Sequence, residues 1–490
     1  MAAHSLVRAL TATADRAPDH PALVHGGEVI GYADLVRRAE LAAAGLDRLA
    51  PVGGVVGLLA PKSPDSVAAV LACLGRGRPV LLPPVTLGAV TLAALVDRAR
   101  CAVTPTTAQV VAAGAGSAGL PLDGTPADPE AVALLLTTSG STGVPKVVPL
   151  GVGAVDRFTE WAGARFGLGP ESVVLNHSPL NFDLCLLDVW ATLKHGGTTV
   201  LVDPARGADG RHLTELVERH SVTLVQGVPL LFRLLADYAA KTGATHPGVR
   251  DVLLTGESTP ARLLRDLPAL FPNARFHDVY GCTETNDSLV RSLDAADLAA
   301  PPELGEPIPG VAVLVLDETG RVLHGEGEGE LCVATPFQTA GYLDESLNED
   351  RFTGHPDGAD GFRYFRSGDL VRRTASGRLV LLGRTDLQVK VRGVRTNLGD
   401  VEHVLAEHAE VAEAVVVAVP DPVAGHVLHA WARRLPGAAP DGLELRRHCA
   451  QRLPRTAVPS TFHITDDPIP RTSTGKPDRR LLLTTRTAKD

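Results

Sequence analysis

The chain has 490 residues, 44% hydrophobic and 21% charged, a balance that supports a large core and, at this length, two or more domains. A net charge of −9 argues against a dedicated nucleic-acid binder, which is ordinarily basic. Six cysteines, at 73, 101, 185, 282, 332 and 449, include no CxxC pair, which speaks against both a zinc site and a disulfide framework.

The N-terminal MAAHSLVRAL has no apolar signal core. The uncharged stretches 79–96 and 101–122 are too rich in Pro, or in Ala, Gly and Thr, to cross a bilayer. The expectation is a soluble, cytoplasmic protein with no nucleic-acid or membrane partner. Helix-like patterns at 33–49 and 212–220 alternate with short apolar runs at Val55–Leu59, Val132–Leu136, Val173–Leu175, Thr199–Val202 and Asp251–Leu254. Strands alternating with helices predict an α/β architecture. The segment 101–131 reads as a loose loop. From about 311 the runs VAVLVLD, GELCV and RLVLLG, separated by Gly and Asp turns, predict a β-rich subdomain. After GRTD (383–386) the pattern predicts a helix at 399–408, a strand at 411–420 and a helix at 443–453. The resulting fold is α/β: a large N-terminal α/β domain with a β-rich subdomain over 1–385, then a small mobile α+β domain over 386–490.

Residues 134–149 read LLLTTSGSTGVPKVVP. A strand runs into Thr137, Thr138, Ser139, Gly140, Ser141, Thr142 and Gly143, with Lys146 just beyond. Glycines let backbone amides turn toward an anion, while the hydroxyls and the lysine supply donors to phosphate oxygens. No GK[ST] closes the loop, so it is not a Walker sequence.

This stretch resembles the phosphate loop of the adenylate-forming superfamily: acyl-CoA synthetases, luciferases and the adenylation domains of nonribosomal peptide synthetases. YGCTET at 280–285, YFRSGDL at 364–370, GRTDLQVKVRG at 383–393 and PRTSTGK at 470–476 resemble four further signatures of that superfamily, in its order. Weaker similarities lie at GYADL (31–35) and LGRGRPVLLPP (74–84). Val147 stands where a glycine is common, and Asn397 where an acid is common.

The resemblance implies a ligase that uses ATP and Mg2+ to join a carboxylate to AMP. Two anions must meet, so charge has to be neutralised where they react. Glu284 is similar to the family's magnesium ligand, and Thr283 would donate to the α-phosphate. Thr138, Ser139, Gly140, Ser141, Thr142, Gly143 and Lys146 would hold phosphates. Tyr280 would stack on adenine, Gly256 and Glu257 would wall the base, Asp369 would accept the ribose hydroxyls, and Arg384 would support ribose or phosphates. Lys476, on a Gly- and Pro-flanked loop, would bridge the acid and ATP. Asp386 would be the hinge about which the small domain turns between half-reactions.

NFDLCLLDVW (181–190) bears on the acid. By resemblance Asp183 holds an α-ammonium, which implies an amino acid; the alternative is a helix cap. Leu184, Leu187, Gln226, Leu253, Thr255, Val279, Asp287 and Ser288 would line the rest of the pocket. Leucines and Val279 narrow it, and Asp287 needs a donor opposite it. The expected acid is small to medium with a hydroxyl or amine on its side chain; glycine is the alternative. No carrier motif follows Lys476, so the expected acceptor is a separate carrier protein, with CoA as the alternative.

Overall fold

The computed structural model describes residues 5–50, 53–122, 128–138, 144–257, 259, 261–294, 303–384, 388–421, 425–435, 437–470 and 477–486. Ser139, Gly140, Ser141, Thr142, Gly143, Asp386 and Lys476 lie outside the described residues. The chain divides into two compact units, one of 1–83, 98–137 and 147–383, the other of 84–97, 138–146 and 384–490.

The first unit is built on a nine-stranded sheet. Its order is Glu306–Pro307, Asn286–Leu293, Arg275–Cys282, Asp251–Thr255, Leu224–Gly227, Val173–Asn176, Thr198–Leu201, Pro21–His25 and Glu28–Gly31. The strands from Arg275–Cys282 to Pro21–His25 pair in parallel. Parallel strands are covered on both faces, which is why they read as apolar runs: Asp251–Thr255 and Leu224–Gly227 are buried throughout. A second sheet runs Cys101–Val103, Val55–Gly57, Val80–Leu81, Val132–Thr138, Lys146–Gly151. The β-rich subdomain pairs Ala312–Leu316, Gly327–Ala334, Tyr364–Arg373 and Phe352–Thr353 antiparallel.

Helix Tyr32–Leu49 turns Leu35, Ala39, Ala42, Ala43 and Leu46 into the core, the spacing of one apolar face. It packs on a helix that corrects the loose-loop expectation for 101–131. Thr107–Gly114 is helical because Thr106 accepts from the Gln109 amide while the Gln109 side chain accepts from Thr106, a reciprocal cap. The two helices meet at glycines: a Cβ on Gly45 would lie 2.2 Å from the Val110 carbonyl oxygen.

In the second unit, Val411–Asp421, Gly425–Arg434 and Thr461–Thr465 form a sheet. Helices Leu398–Ala406 and Gly442–Ala450 close its core through Val401, Leu405, Leu445 and Cys449. Asn397 keeps the acceptor its position needs: its side chain takes the Gly399 amide at 2.9 Å and caps the first helix. Among the described residues no helix is long and apolar enough to cross a membrane, and no disulfide forms.

Candidate active site

The chain leaves strand Val173–Asn176, turns through 177–185 and enters a wide π-helical turn at Leu186–Ala191. Such widened turns recur at functional sites. Asp183 lies just before it, half-buried, and its carboxylate accepts the Thr283 hydroxyl at 2.7 Å. The FD and YGCTE motifs thus meet across 100 residues of sequence. Cys185, at the cap position itself, makes no side-chain cap bond.

Asp287 stands on the neighbouring strand Asn286–Leu293. Burial, and then the negative charge of Asp183, push its carboxyl up to about 7. The strand can come this close because Gly281 has no side chain: a Cβ there would lie 2.3 Å from the Asn286 oxygen and 2.9 Å from the Asp287 Cα. Leu187, Leu253 and Val279 are buried in one core cluster, Leu184 is half-buried, and Thr255 is buried at the end of its strand. The Ser288 hydroxyl is wholly buried and donates to the Asn286 carbonyl at 3.1 Å. Gln226 turns its amide to the Leu184 carbonyl at 3.0 Å and to Asp188 at 2.9 Å.

On the other side of YGCTE, Tyr280 donates its hydroxyl to Asp369 at 2.5 Å, and its half-buried ring packs against Leu289, Leu304 and Val371. Asp369 is itself oriented by its amide, which donates to Ser367 Oγ at 3.0 Å. Gly256 adopts φ +84°, and a Cβ on it would lie 2.9 Å from Val228, so the turn into half-buried Glu257 suits glycine alone.

Glu284 is buried, with Tyr342 donating to one carboxylate oxygen at 2.6 Å and the Thr339 amide to its backbone carbonyl at 2.9 Å. A carboxylate oxygen such as this is a hard donor of the kind magnesium accepts. Among the described residues no cluster of three His, Cys, Asp or Glu side chains is arranged to hold a metal ion by itself.

Within the second unit, the Thr138 hydroxyl is buried without a partner among the described residues, and Lys146 is almost fully buried at the start of its strand. Arg384 ends strand Leu379–Arg384. A buried hydroxyl lacking an acceptor is what a phosphate oxygen would satisfy.

Sequence reasoning did not single out Tyr342, Asp188, Asn176 or Lys62. Asp188 left a signal, a lone acid in the apolar run LCLLDVW.

Residues 10–343 match the AMP-binding enzyme family and 400–476 its C-terminal domain. The architecture is that of an adenylate-forming enzyme. The amide bond synthetase McbA from Marinactinospora thermotolerans superposes with a TM-score of 0.84 at 25% identity, covering 98% of this chain and 99% of that one. The chain belongs to the AMP-binding enzyme family. It is 37% identical over 364 residues to an L-proline--[L-prolyl-carrier protein] ligase of Streptomyces coelicolor, covering 73% of this chain and 66% of the ligase. It is 30% identical to Tyrocidine synthase 3 of Brevibacillus parabrevis over 96% of this chain and 7% of the synthase. The chain therefore spans just under two thirds of that ligase and a small part of the synthase.

Proposed function

We propose that the protein uses ATP and Mg2+ to activate an amino acid as aminoacyl-AMP, then passes the aminoacyl group to the phosphopantetheine thiol of a separate carrier protein. The observation that carries this is the acidic pair: Asp183, oriented by Thr283, acts on the buried Asp287, whose carboxyl is pushed up to about 7 by burial first and then by the Asp183 charge. An acid without an amine would add its own negative charge beside the Asp183 carboxylate. An amino acid brings an ammonium group that suits this acidic site. A proline:carrier-protein ligase as relative supports both the substrate class and the acceptor.

In this reading Asp183 holds the α-ammonium and Thr283 keeps that carboxylate aimed while its own position flanks the α-phosphate. Leu187, Leu253 and Val279 set the pocket's width, and Asp287 favours a side chain with a hydroxyl or amine. Glu284 is one ligand of the magnesium, which when bound neutralises phosphate charge. Asp369 and Tyr280 receive the ribose and adenine. Lys476 bridges the acid and ATP, and 386–490 reorients about Asp386 before thiol transfer. A second reading, proline itself, is favoured by the ligases of Streptomyces coelicolor and, at 34% identity, Pseudomonas fluorescens. Incubation with ATP, Mg2+ and amino-acid pools, with holo-carrier protein or CoA as acceptor, tests the proposal by mass spectrometry of the thioester. An aminoacylated carrier supports it; thioester formed on CoA alone, or from an acid without an amine, contradicts it.

A further inference from the structure

Beneath the turn that presents Asp183 lies a polar cluster sealed in the core. Asp188 is fully buried. Its carboxylate accepts Gln226 Nε2 at 2.9 Å and Asn176 Nδ2 at 3.3 Å, and its backbone carbonyl accepts the Thr199 hydroxyl at 2.8 Å. The same Gln226 nitrogen donates to the Leu184 carbonyl at 3.0 Å. That carbonyl also receives the Asp188 amide at 3.1 Å, so one side chain grips both ends of the first turn after Asp183. Lys62, also buried, donates to the carbonyls of Asn176 and His177 at 3.1 and 2.8 Å, and its charge partly offsets the burial that holds the Asp188 carboxyl well above the usual range.

A buried carboxylate is costly, and apolar residues of similar size would pack the same space with no such cost. Its retention at this place calls for a task. The cluster ties three parallel strands, Val173–Asn176, Thr198–Leu201 and Leu224–Gly227, to the π-helical turn Leu186–Ala191, a widened form that recurs at functional sites. Asp183 stands at the mouth of that turn, and its carboxylate must meet both Thr283 and a ligand.

We infer that Asp188, clamped by Gln226 and Asn176 over Lys62, is a positioning residue for amino-acid recognition: it fixes the turn that aims Asp183 and Leu184 into the substrate pocket. Gln226 then acts on the substrate through Leu184 and Asp188. This rests on the reading of Asp183 as the ammonium ligand. Among the described residues Asp188 and Lys62 share no hydrogen bond with Tyr280, Asp369 or Glu284, which have partners of their own.

Steady-state pyrophosphate exchange with the preferred amino acid tests this. Asp188→Asn keeps the volume and an acceptor for Gln226, and Gln226→Leu removes both donors. Each should raise the amino-acid KM by about tenfold or more, the scale of a sub-ångström misplacement, while the ATP KM and kcat stay within about twofold. The double variant Asp188→Leu/Gln226→Leu removes donor and acceptor of the Gln226–Asp188 bond together, so it should melt above Asp188→Leu alone without regaining the amino-acid KM. The inference is overturned if the amino-acid and ATP KM rise together, or if the double variant recovers KM along with stability. Asp183→Ala separates the two readings: a raised amino-acid KM there with no effect at 188 or 226 sinks only the positioning role, and no effect at Asp183 sinks both.

Discussion

Replacing Asp287 by Asn should stabilise the ligand-free enzyme at alkaline pH and not at acid pH. In the fold the carboxyl is held up to about 7 by burial and then by Asp183, against 3.8 for an ordinary aspartate. Between those values the folded chain keeps a proton that the unfolded chain has released. Stability contributed at this site is therefore present below about pH 4 and is lost as pH rises toward 7. At about 1.4 kcal/mol per pH unit, the full cost of ionising Asp287 reaches about 4 kcal/mol as an upper bound, and about 3 kcal/mol of it accrues between pH 5 and pH 8. Asparagine has no proton to lose. Urea unfolding of both proteins at pH 5, 6, 7 and 8, compared on the same transition, should show the variant gaining on the parent with each step and then levelling off. Saturating amino acid should shrink the difference, because its α-ammonium neutralises the Asp183 charge that helps hold the Asp287 carboxyl up. A stability difference independent of pH, or one that widens toward acid, would refute the reasoning.

Glu284→Gln preserves the acceptor for Tyr342, so the fold should hold while the magnesium needed for half-maximal exchange rises by about tenfold or more, at least the scale of a lost outer-shell partner; an unchanged magnesium titration removes Glu284 as a ligand. Lys476→Ala should lower pyrophosphate exchange by about a hundredfold or more and largely spare transfer from supplied aminoacyl-AMP, and equal loss in both steps contradicts the bridging role. Asp386→Pro locks one backbone torsion, so single-turnover carrier loading should slow while pyrophosphate exchange persists; loading at the parent rate argues against a hinge there.

The parts of the fold legible in the sequence are those where neighbours in the chain decide the structure. The apolar runs at 173–175 and 251–254 gave strands Val173–Asn176 and Asp251–Thr255, because a parallel strand covered on both faces has no polar side to show. The 33–49 pattern became helix Tyr32–Leu49 through its buried stripe. Helix Thr107–Gly114 was hidden because Ala, Thr and Gly dilute its periodicity, and it is fixed by a cap and by close approach to Gly45 rather than by an apolar face. Motif residues such as Asp183, Thr283 and Tyr280 could be named from local spelling. Their partners could not. Tyr342 reaches Glu284 across 58 residues, and Lys62 reaches the Asn176 carbonyl across 114, pairings that only the tertiary fold creates. Gln226 was legible as a pocket position, but its two acceptors, Leu184 and Asp188, were not.

The central claim is that Asp183 holds the amine of the acid being activated. The most direct measurement is ATP–pyrophosphate exchange driven by the preferred amino acid and by its deamino analogue, with the parent enzyme and with Asp183→Ala. The account predicts that the parent discriminates by about a hundredfold or more, the scale of a charged group left unpaired in a buried site, and that Asp183→Ala collapses most of that gap by losing the amino acid. Equal exchange with the deamino acid in the parent, or discrimination that survives intact in Asp183→Ala, would contradict it.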